Sequence, residues 1–491
     1  MSSGTATTSG VVTPGATSAE RADGGAGCRV DETADDGAAG QVDEPTKQPA
    51  DDDSSTSLGR RFHHLLGATA LSNLSDGILQ VGIPLLALTL TSSPLQLSLV
   101  AAAAGLPWLL LGLHVGVLVD RYDRARLLGL ATATRVLVLV AATVGAATGA
   151  LGLPLLVALV LAFGIAEVVA DSAAGALVPA VVRTAQLHAA NSRLMGAQQL
   201  ANAFLGGPAA GVLVALGAGW LFGVPAALCT ATLLLVVRGL LDRGERPIGS
   251  GPRSGTGAAL SGPASSGRAP SGPEPARSTV RSEIREGLQF LLRHRVVRPL
   301  LLGATVLNFA SAGYFAVFPL WVVGPDSAVG LRAELFGLLT AALAVGAIAG
   351  AVLSDRLGRR LREMPVVRVC WAAQAGLLAV PVLVPRVEAL VVTALLLGLT
   401  NMVGNVVTRS MRQRMIPGHL LGRVGGAASV LGYGSMPLGA LIGGVVGEAL
   451  GLPAVLLGAA VLSFAAAARV AVVVPQSRVV EADAAAQGAT A

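Results

Sequence analysis

The feature that most constrains this chain is a succession of long apolar runs separated by short polar breaks. Each run is at least as long as the roughly 20 residues that a helix needs to cross about 30 Å of hydrocarbon. The runs lie near residues 65–90, 95–119, 126–150, 153–180, 194–217, 219–240, 298–324, 333–354, 364–385, 388–409, 423–449 and 452–475. The sequence therefore predicts an all-α membrane protein with twelve transmembrane helices, arranged as two six-helix bundles.

Composition supports this prediction and argues against other classes of protein. Hydrophobic residues make up 53% of the chain and charged residues 13%, against about 25% charged residues in soluble domains. The net charge of +6 comes from arginines beside predicted spans, so we expect no nucleic-acid partner. Cys28, Cys229 and Cys370 lack metal-site or disulfide spacing, and no phosphate-binding loop is present. We expect no metal, no cofactor, no catalytic residue and no enzymatic activity.

The segments outside the apolar runs divide the chain further. Residues 1–57 are rich in small residues and acid, which predicts a disordered cytoplasmic tail. Residues 58–240 form the first predicted bundle, and residues 241–280, rich in Gly, Pro, Ser and Arg, predict a flexible cytoplasmic linker. We expect an amphipathic helix and the second bundle within residues 281–476, followed by a disordered tail at residues 477–491.

The predicted amphipathic helix precedes the seventh span. Its apolar stripe lies opposite basic residues and consists of Ile284, Leu288, Leu291 and Leu292. A helix of this kind lies flat on a membrane surface, here the inner leaflet. The alternative is a cytoplasmic extension of the seventh span with a solvated face.

Arginine placement predicts the orientation of the helices. The short loops on one side of the membrane hold only Arg332 and Arg386. The loops on the other side hold Arg121, Arg124, Arg126, Arg183, Arg193, Arg356, Arg359, Arg360, Arg362, Arg409, Arg412, Arg414 and Arg423. By the positive-inside rule the arginine-rich side is cytoplasmic, which places both termini and the linker there.

A charged motif between the second and third apolar runs recurs in the second half. The first copy has Gly116, Asp120, Arg121, Asp123, Arg124 and Arg126, and the second has Asp355, Arg356 and Arg359. Asp120, Arg121 and Arg124 match their partners at one offset of 235 residues. Because six spans separate the copies, the halves are parallel repeats, an arrangement in which transporters place a binding site between two bundles.

These motifs resemble the signature loops of the major facilitator superfamily, which lie between the second and third and between the eighth and ninth helices. Ser75-Asp76-Gly77 and Arg412-Gln413-Arg414 resemble more closely the bacterial branch that includes macrolide and siderophore exporters. Gly206, Gly207, Pro208 and Gly211 are similar to the glycine-proline motif of antiporters in this superfamily, although such residues also serve plain helix packing.

The charged loop can hold neighbouring helices together, because its arginines can pair with acids and cap helix ends. The resemblance implies a latch at the inner gate that engages an acidic residue on the fourth helix, and Asp171 is the residue in that region. The alternative is a plain topological anchor that obeys the positive-inside rule.

Few ionisable residues lie deep inside the predicted spans. They are Asp76, Arg135, Glu167 and Asp171, and an unpaired charge at such depth costs on the order of 3 kcal/mol. We predict that Asp76 and Glu167 bind protons or a cationic substrate and that Arg135 tunes them. The alternative is a static ion-pair network without a transported proton.

Polar residues at other positions in the spans are candidates for substrate contact. In the second half these are Asn308, Asn401 and Asn405, which offer hydrogen bonds rather than charge. Gln198, Gln199 and Asn202 in the fifth span are further candidates for lining a cavity, although polar residues near a helix end are also typical of the membrane interface.

Together, these features predict a secondary transporter in the cytoplasmic membrane that exports a drug, antibiotic or secreted metabolite in exchange for protons. We expect a small organic substrate, protons as coupling ion, membrane lipids as surroundings and a monomeric state. The alternatives are an importer of a small polar solute such as a sugar, and a membrane scaffold that has lost transport.

Overall fold

The computed structural model of the chain describes residues 58–183, 186–241, 289–324, 326–416 and 421–488. Within these ranges the chain forms long helices joined by short loops. The predicted acidic tail 1–57, residues 242–280 of the predicted linker and residues 281–288 of the predicted amphipathic helix lie outside them. On the remainder of that apolar stripe, Leu291 is buried and Leu292 is exposed.

The first half contains six long helical elements, α1 to α6. The fifth is an α-helix that continues through a π-helical stretch, Leu200–Gly206, into a second α-helix. The sixth ends in a π-helical turn, Val237–Leu241. The bounds are α1 Arg60–Leu90, α2 Pro94–Arg121, α3 Arg124–Ala147, α4 Leu153–Val181, α5 Leu187–Gln199 continuing as Gly207–Leu216, and α6 Ala218–Val236.

The second half repeats this order and adds one short helix. Its long helices are α7 Val297–Val322, α8 Ala333–Arg360, α9 Glu363–Leu383, α10 Val387–Met415, α11 Leu421–Leu450 and α12 Leu452–Val473. The additional helix is α13, Gln476–Gly488. Here the structure differs from the disordered tail predicted from residue 477, because the chain stays helical as far as residue 488.

Local residues explain where several helices begin and end. The Ser93 hydroxyl accepts a hydrogen bond from the Gln96 N–H at 3.3 Å and caps α2, and the Asp123 carboxylate caps α3 through the Arg126 N–H at 2.8 Å. Gly217 and Gly451, with φ of 116° and 85°, make the tight turns between α5 and α6 and between α11 and α12. The same turn at equivalent places reflects the duplication of the chain.

The packing of the helices also repeats between the halves. In the first bundle, α1 packs on α5 and α6, and α3 packs on α4 and α6. In the second, α7 packs on α11 and α12, and α9 packs on α10 and α12. The bundles meet through α2 against α11 and α5 against α8. We use "the Pro94 end" for the membrane side at which α2 begins and "the Arg121 end" for the side at which it finishes.

Most of these helices have the length and apolar composition of membrane-spanning helices. Eleven helices within the described ranges are long and apolar enough to cross one. The helix α11 is 30 residues long but is not among the eleven, and several of its first side chains lie outside the described part of the chain. The prediction of an all-α membrane protein is confirmed, and the count of twelve spans stays a prediction.

Candidate functional site

A buried ion pair joins α1 to α3 in the middle of the first bundle. The side chain of Arg135 is 0% exposed, and its Nη2 contacts Oδ1 of Asp76, which is 9% exposed. Arg135 Nη1 also donates to the hydroxyl of Ser72 at 2.6 Å. Ser72 lies one helical turn before Asp76, so one face of α1 supplies both partners of the guanidinium.

The helix α4 contributes an aromatic ring to the same guanidinium. The Arg135 Cζ atom lies 4.5 Å from the ring centre of Phe163, a cation–π contact. The buried Nε atom of Arg135 has no hydrogen-bond partner among the described atoms. The charge is therefore held mainly by Asp76, Ser72 and Phe163, which come from two helices.

Two further carboxylates on α4 surround this ion pair. Glu167 and Asp171 are both close enough to Arg135 to interact with it electrostatically, and both also interact with Asp76. Because three carboxyl groups share one guanidinium, the cluster carries surplus negative charge when all of them are ionised. We call Asp76, Arg135, Glu167 and Asp171 the charge cluster. All four are predicted from the sequence as intramembrane charges, and the structure brings them together.

A thiol extends the network to α6. Cys229 is buried, and its Sγ lies 3.4 Å from the hydroxyl of Ser75, the neighbour of Asp76 in α1. The sequence does not predict the roles of Ser72 and Phe163 as partners of Arg135, or the contact between Ser75 and Cys229. A signal was available for two of them, because Ser72 and Phe163 stand four residues before Asp76 and Glu167 and so share their helix faces.

Beside the charge cluster lies a cavity of about 240 Å³. Its polar lining residues are Thr69, Ser72, Asn73, Thr132, Asp171, Asn191, Gln198 and Thr232. Of the candidate polar residues in α5, Gln198 lines this cavity. The main-chain carbonyl of Asn202, in the π-helical stretch, packs directly against Gly77 of α1.

The candidate residues of the second half lie in the other bundle and make separate contacts. Asn308 of α7 donates from Nδ2 to the carbonyl of Gly432 in α11 at 3.4 Å. Asn405 donates to the side chain of Asn401 at 2.9 Å, and both residues are exposed on α10. The structure does not bring these amides into contact with the charge cluster, so any joint role requires a ligand that reaches both bundles.

The repeated charged loop lies at the Arg121 end. Arg124 donates to the carbonyl of Ala176 in α4 at 3.3 Å, which ties the loop to α4 by a main-chain contact. An ion pair between the loop arginines and Asp171 is not among the contacts of the described residues, and Asp171 instead groups with Arg135.

For the remaining loop residues the structure gives exposure only. Arg121, Arg126 and Arg356 are exposed, and a side chain at Gly116 would meet open space. The side chains of Asp120, Asp355 and Arg359 lie outside the described residues.

At the Pro94 end, glycines allow the bundles to approach closely. Gly207 and Gly211 of α5 face Gly337, Thr340 and Glu334 of α8, and a side chain at either glycine would clash with α8. Within the first bundle, Gly206 packs against Gly77 of α1. Pro208 follows the π-helical stretch, as expected for a residue that cannot donate a main-chain hydrogen bond.

A carboxylate adds a polar contact between the bundles at this end. Glu448, near the end of α11, accepts a hydrogen bond from the Ser93 hydroxyl at 2.7 Å and from the Leu95 N–H at 3.3 Å. Ser93 and Leu95 lie at the start of α2, where unpaired N–H groups favour a negative charge. We call these contacts, with those between α5 and α8, the seam.

Comparisons with known proteins agree with this architecture. Residues 65–439 match the sequence profile of the Major Facilitator Superfamily. The chain is 29% identical over 407 residues to the multidrug efflux pump Tap of Mycobacterium tuberculosis (strain ATCC 25618 / H37Rv), a match that covers 80% of this chain and 88% of the relative.

Solved structures of low sequence identity share the fold. A bacterial homologue of the iron transporter ferroportin, in an inward-facing state, is similar with a TM-score of 0.62 and 16% identity, covering 84% of this chain and 99% of that one. A bacterial homologue of the human lysosomal transporter Spinster gives a TM-score of 0.59 and 15% identity, covering 87% and 99%. The profile match covers most of the chain. The chain therefore belongs to the Major Facilitator Superfamily and is a multi-pass membrane transporter of small molecules rather than an enzyme.

Proposed function

We propose that this chain is a proton-driven exporter that moves a drug, antibiotic or secreted metabolite out of the cytoplasm. The observation that carries the proposal is the charge cluster, in which Asp76 pairs with a fully buried Arg135 while Glu167 and Asp171 lie close by. Such a cluster suits the coupling of proton movement to substrate movement, because a proton or a cationic substrate that arrives from either side of the membrane changes its net charge.

The surplus negative charge of the cluster gives the coupling its physical basis. Ionised carboxylates in a low-dielectric interior are costly unless a cation neutralises them. One guanidinium neutralises one carboxylate, so the others are stabilised by bound protons or by a positively charged group of the substrate. Proton and substrate then compete for the same negative charge, which is the requirement for exchange of one for the other.

The proposed orientation places the Arg121 end in the cytoplasm. The arginine excess at that end supports it through the positive-inside rule, and both termini would then be cytoplasmic. Because the seam joins the bundles at the Pro94 end, this structure would correspond to a state closed toward the outside. We further propose that α11 is the twelfth span, that the membrane is the cytoplasmic membrane, and that the protein works as a monomer surrounded by lipids.

Export rather than import is supported by the similarity to the mycobacterial pump, which is named for multidrug efflux. The two bundles also differ in a way that suits an amphipathic substrate. The first supplies charge, whereas the second supplies amides such as Asn308 and Asn405. No observation favours a sugar importer or a transport-dead scaffold.

Expression in a drug-hypersensitive bacterial host tests the proposal. We expect lower intracellular levels of at least one dye or antibiotic from a broad panel, and we expect an uncoupler that collapses the proton gradient to abolish the difference. Asp76→Asn serves as the reference variant in which we expect no coupled transport. Unchanged accumulation across the whole panel, with the protein present in the membrane, would count against efflux.

A further inference from the structure

The cavity beside the charge cluster lies in the first bundle. The lining residues that the structure describes come from α1, α3, α4, α5 and α6, and none of these described residues belongs to the second bundle. The cavity therefore belongs to one bundle, whereas a substrate site shared by both would lie between them.

The cavity leads toward the charge cluster from the Arg121 end. Along α1 it reaches from Leu65, near the start of the helix, to Ser72, a rise of about 10 Å at about 1.5 Å per residue. Ser72 contacts Arg135 at 2.6 Å, and Asp171 lines the cavity itself. Asn191 and Gln198 are exposed on α5, so the cavity is open on that side.

The lining also suits water. About half of the residues around the cavity carry hydroxyl, amide or carboxylate groups, and polar cavities hold ordered water whereas apolar ones stay dry. A polar cavity can hold a water once about 10–15 Å³ is open to a water-sized probe, so 240 Å³ leaves room for several waters. A row of waters from Leu65 to Ser72 would link the solution to the charge cluster.

We propose that this cavity is the water-filled path by which the charge cluster exchanges protons with the solution at the Arg121 end. The inference rests on the proposed proton coupling and adds a route for the proton. A proton leaves a carboxyl oxygen of Asp171 or its neighbours for cavity water and passes to the solution, and the carboxylate that remains strengthens its attraction to Arg135. The titratable or charged groups that face Asp171 and Arg135 are Asp76 on α1, Glu167 on α4 and Cys229 on α6, and α5 contributes uncharged amides.

Filling the cavity tests the route. Gly175 of α4 lines the cavity, and a Cβ atom added there has no neighbour within 4 Å, so the side chain of Gly175→Leu would extend into the path. Proteoliposomes with an acidic interior are assayed for uptake of ethidium, a dye with permanent positive charge. We expect Gly175→Leu to lose at least tenfold in gradient-driven uptake but to retain exchange of labelled for unlabelled ethidium without a gradient.

The matched control is Gly376→Leu. Gly376 is an exposed glycine of α9, and a Cβ atom there also has no neighbour within 4 Å, but it belongs to the second bundle and does not line the cavity. A second filling variant, Met195→Trp, places a ring at an exposed residue of the lining, so it does not depend on how α4 tolerates Leu. We expect Met195→Trp to behave as Gly175→Leu does and Gly376→Leu to behave as the natural protein does.

The outcomes separate this inference from the proposed function. Full gradient-driven uptake by both filling variants would overturn the proton route while leaving proton-coupled export intact. Loss of both uptake and exchange, in variants that elute as the natural protein does, would also overturn it, because the cavity would then hold substrate. If ethidium uptake by the natural protein does not depend on the proton gradient, the proposed proton coupling is wrong, and the proton route is wrong with it.

Discussion

Arg135 and Asp76 show how single residues set the properties of this transporter. A guanidinium that is 0% exposed loses its hydration. The free-energy cost of this desolvation is offset only by close partners. Asp76 supplies the opposite charge, Ser72 a hydrogen bond and Phe163 the face of a ring. Since α1, α3 and α4 all contribute, the pair also fixes how three helices pack.

Asp76→Asn should therefore destabilise the protein as well as stop coupled transport. Removing the carboxylate that contacts the buried guanidinium directly leaves Arg135 with more distant acidic partners, and breaking a buried ion pair in this way costs on the order of 3 kcal/mol. We expect a clearly lower melting temperature in detergent. The double variant Asp76→Asn with Arg135→Gln should recover most of this loss, because neither member of the contacting pair is then charged and Glu167 and Asp171 can bind protons, while gradient-driven transport stays absent. Equal melting temperatures for the natural protein and Asp76→Asn would contradict the account.

At this scale the sequence predicted the charged residues better than their neighbours. Asp76, Arg135, Glu167 and Asp171 stand out because charge is rare and costly in an apolar helix. Ser72, Phe163 and Cys229 do not, because serine, phenylalanine and cysteine are ordinary inside membrane helices. The sequence predicts that Asp171 joins the loop at the Arg121 end. Its position depends on the rotation of α4, which a single sequence does not reveal, and in the structure Asp171 interacts electrostatically with Arg135.

The helix α13 shows the same limit for whole elements. Small and charged residues at the end of the chain predict disorder, yet α13 packs against α9 and α10. Gln476 accepts a hydrogen bond from the Met364 N–H at 3.0 Å, and Arg414 pairs with both Glu363 and Asp483. Val479 is fully buried in this contact. Tertiary contacts, rather than the composition of the segment, hold the helix.

A substitution at Val479 tests whether α13 is held in this way. Val479→Asp would bury an unpaired carboxylate at a residue that is 0% exposed, so we expect α13 to detach. Hydrogen exchange of main-chain amides within residues 476–488 should then become at least tenfold faster. The neighbouring Val480 is 58% exposed, and Val480→Asp should leave exchange unchanged. Equal protection in both variants would show that Val479 does not anchor the helix.

The elements that the sequence predicted well are those whose signal is local. Long apolar runs locate the spans because the hydrocarbon thickness imposes their length. The π-helical stretch Leu200–Gly206 is different: Pro208 is a local signal for an irregular hydrogen-bond pattern, but the extent of the stretch is also tied to the contact of Asn202 with Gly77 of α1. Its position depends on a neighbouring helix as much as on the residues within it.

For the molecule as a whole, the seam determines which side of the transporter is closed. Glycines bring α5 against α8, and Glu448 joins α11 to the start of α2. A transporter of two parallel bundles must break such contacts to expose its site on the opposite side. The strength of the seam therefore sets the population of the state closed at the Pro94 end.

Glu448→Ala should weaken the seam. The change removes the acceptor for Ser93 and Leu95, and a net loss of about 1 kcal/mol would shift the ratio of closed to open molecules about fivefold. Spin labels at the exposed residues Ala150 and Arg386, one on each bundle at this end, would report a larger share of long distances. Glu388→Ala, which removes another exposed carboxylate at the same end, is the control. An unchanged distance distribution in Glu448→Ala would refute this role.

The central claim is that Asp76 and its partners exchange protons for substrate. Proteoliposomes with an acidic interior, a pH-sensitive dye in the lumen and ethidium added outside test it most directly. We predict that ethidium uptake by the natural protein raises the lumenal pH and that Asp76→Asn produces neither uptake nor a pH change. Ethidium uptake without any movement of protons, or full exchange by Asp76→Asn, would contradict the account.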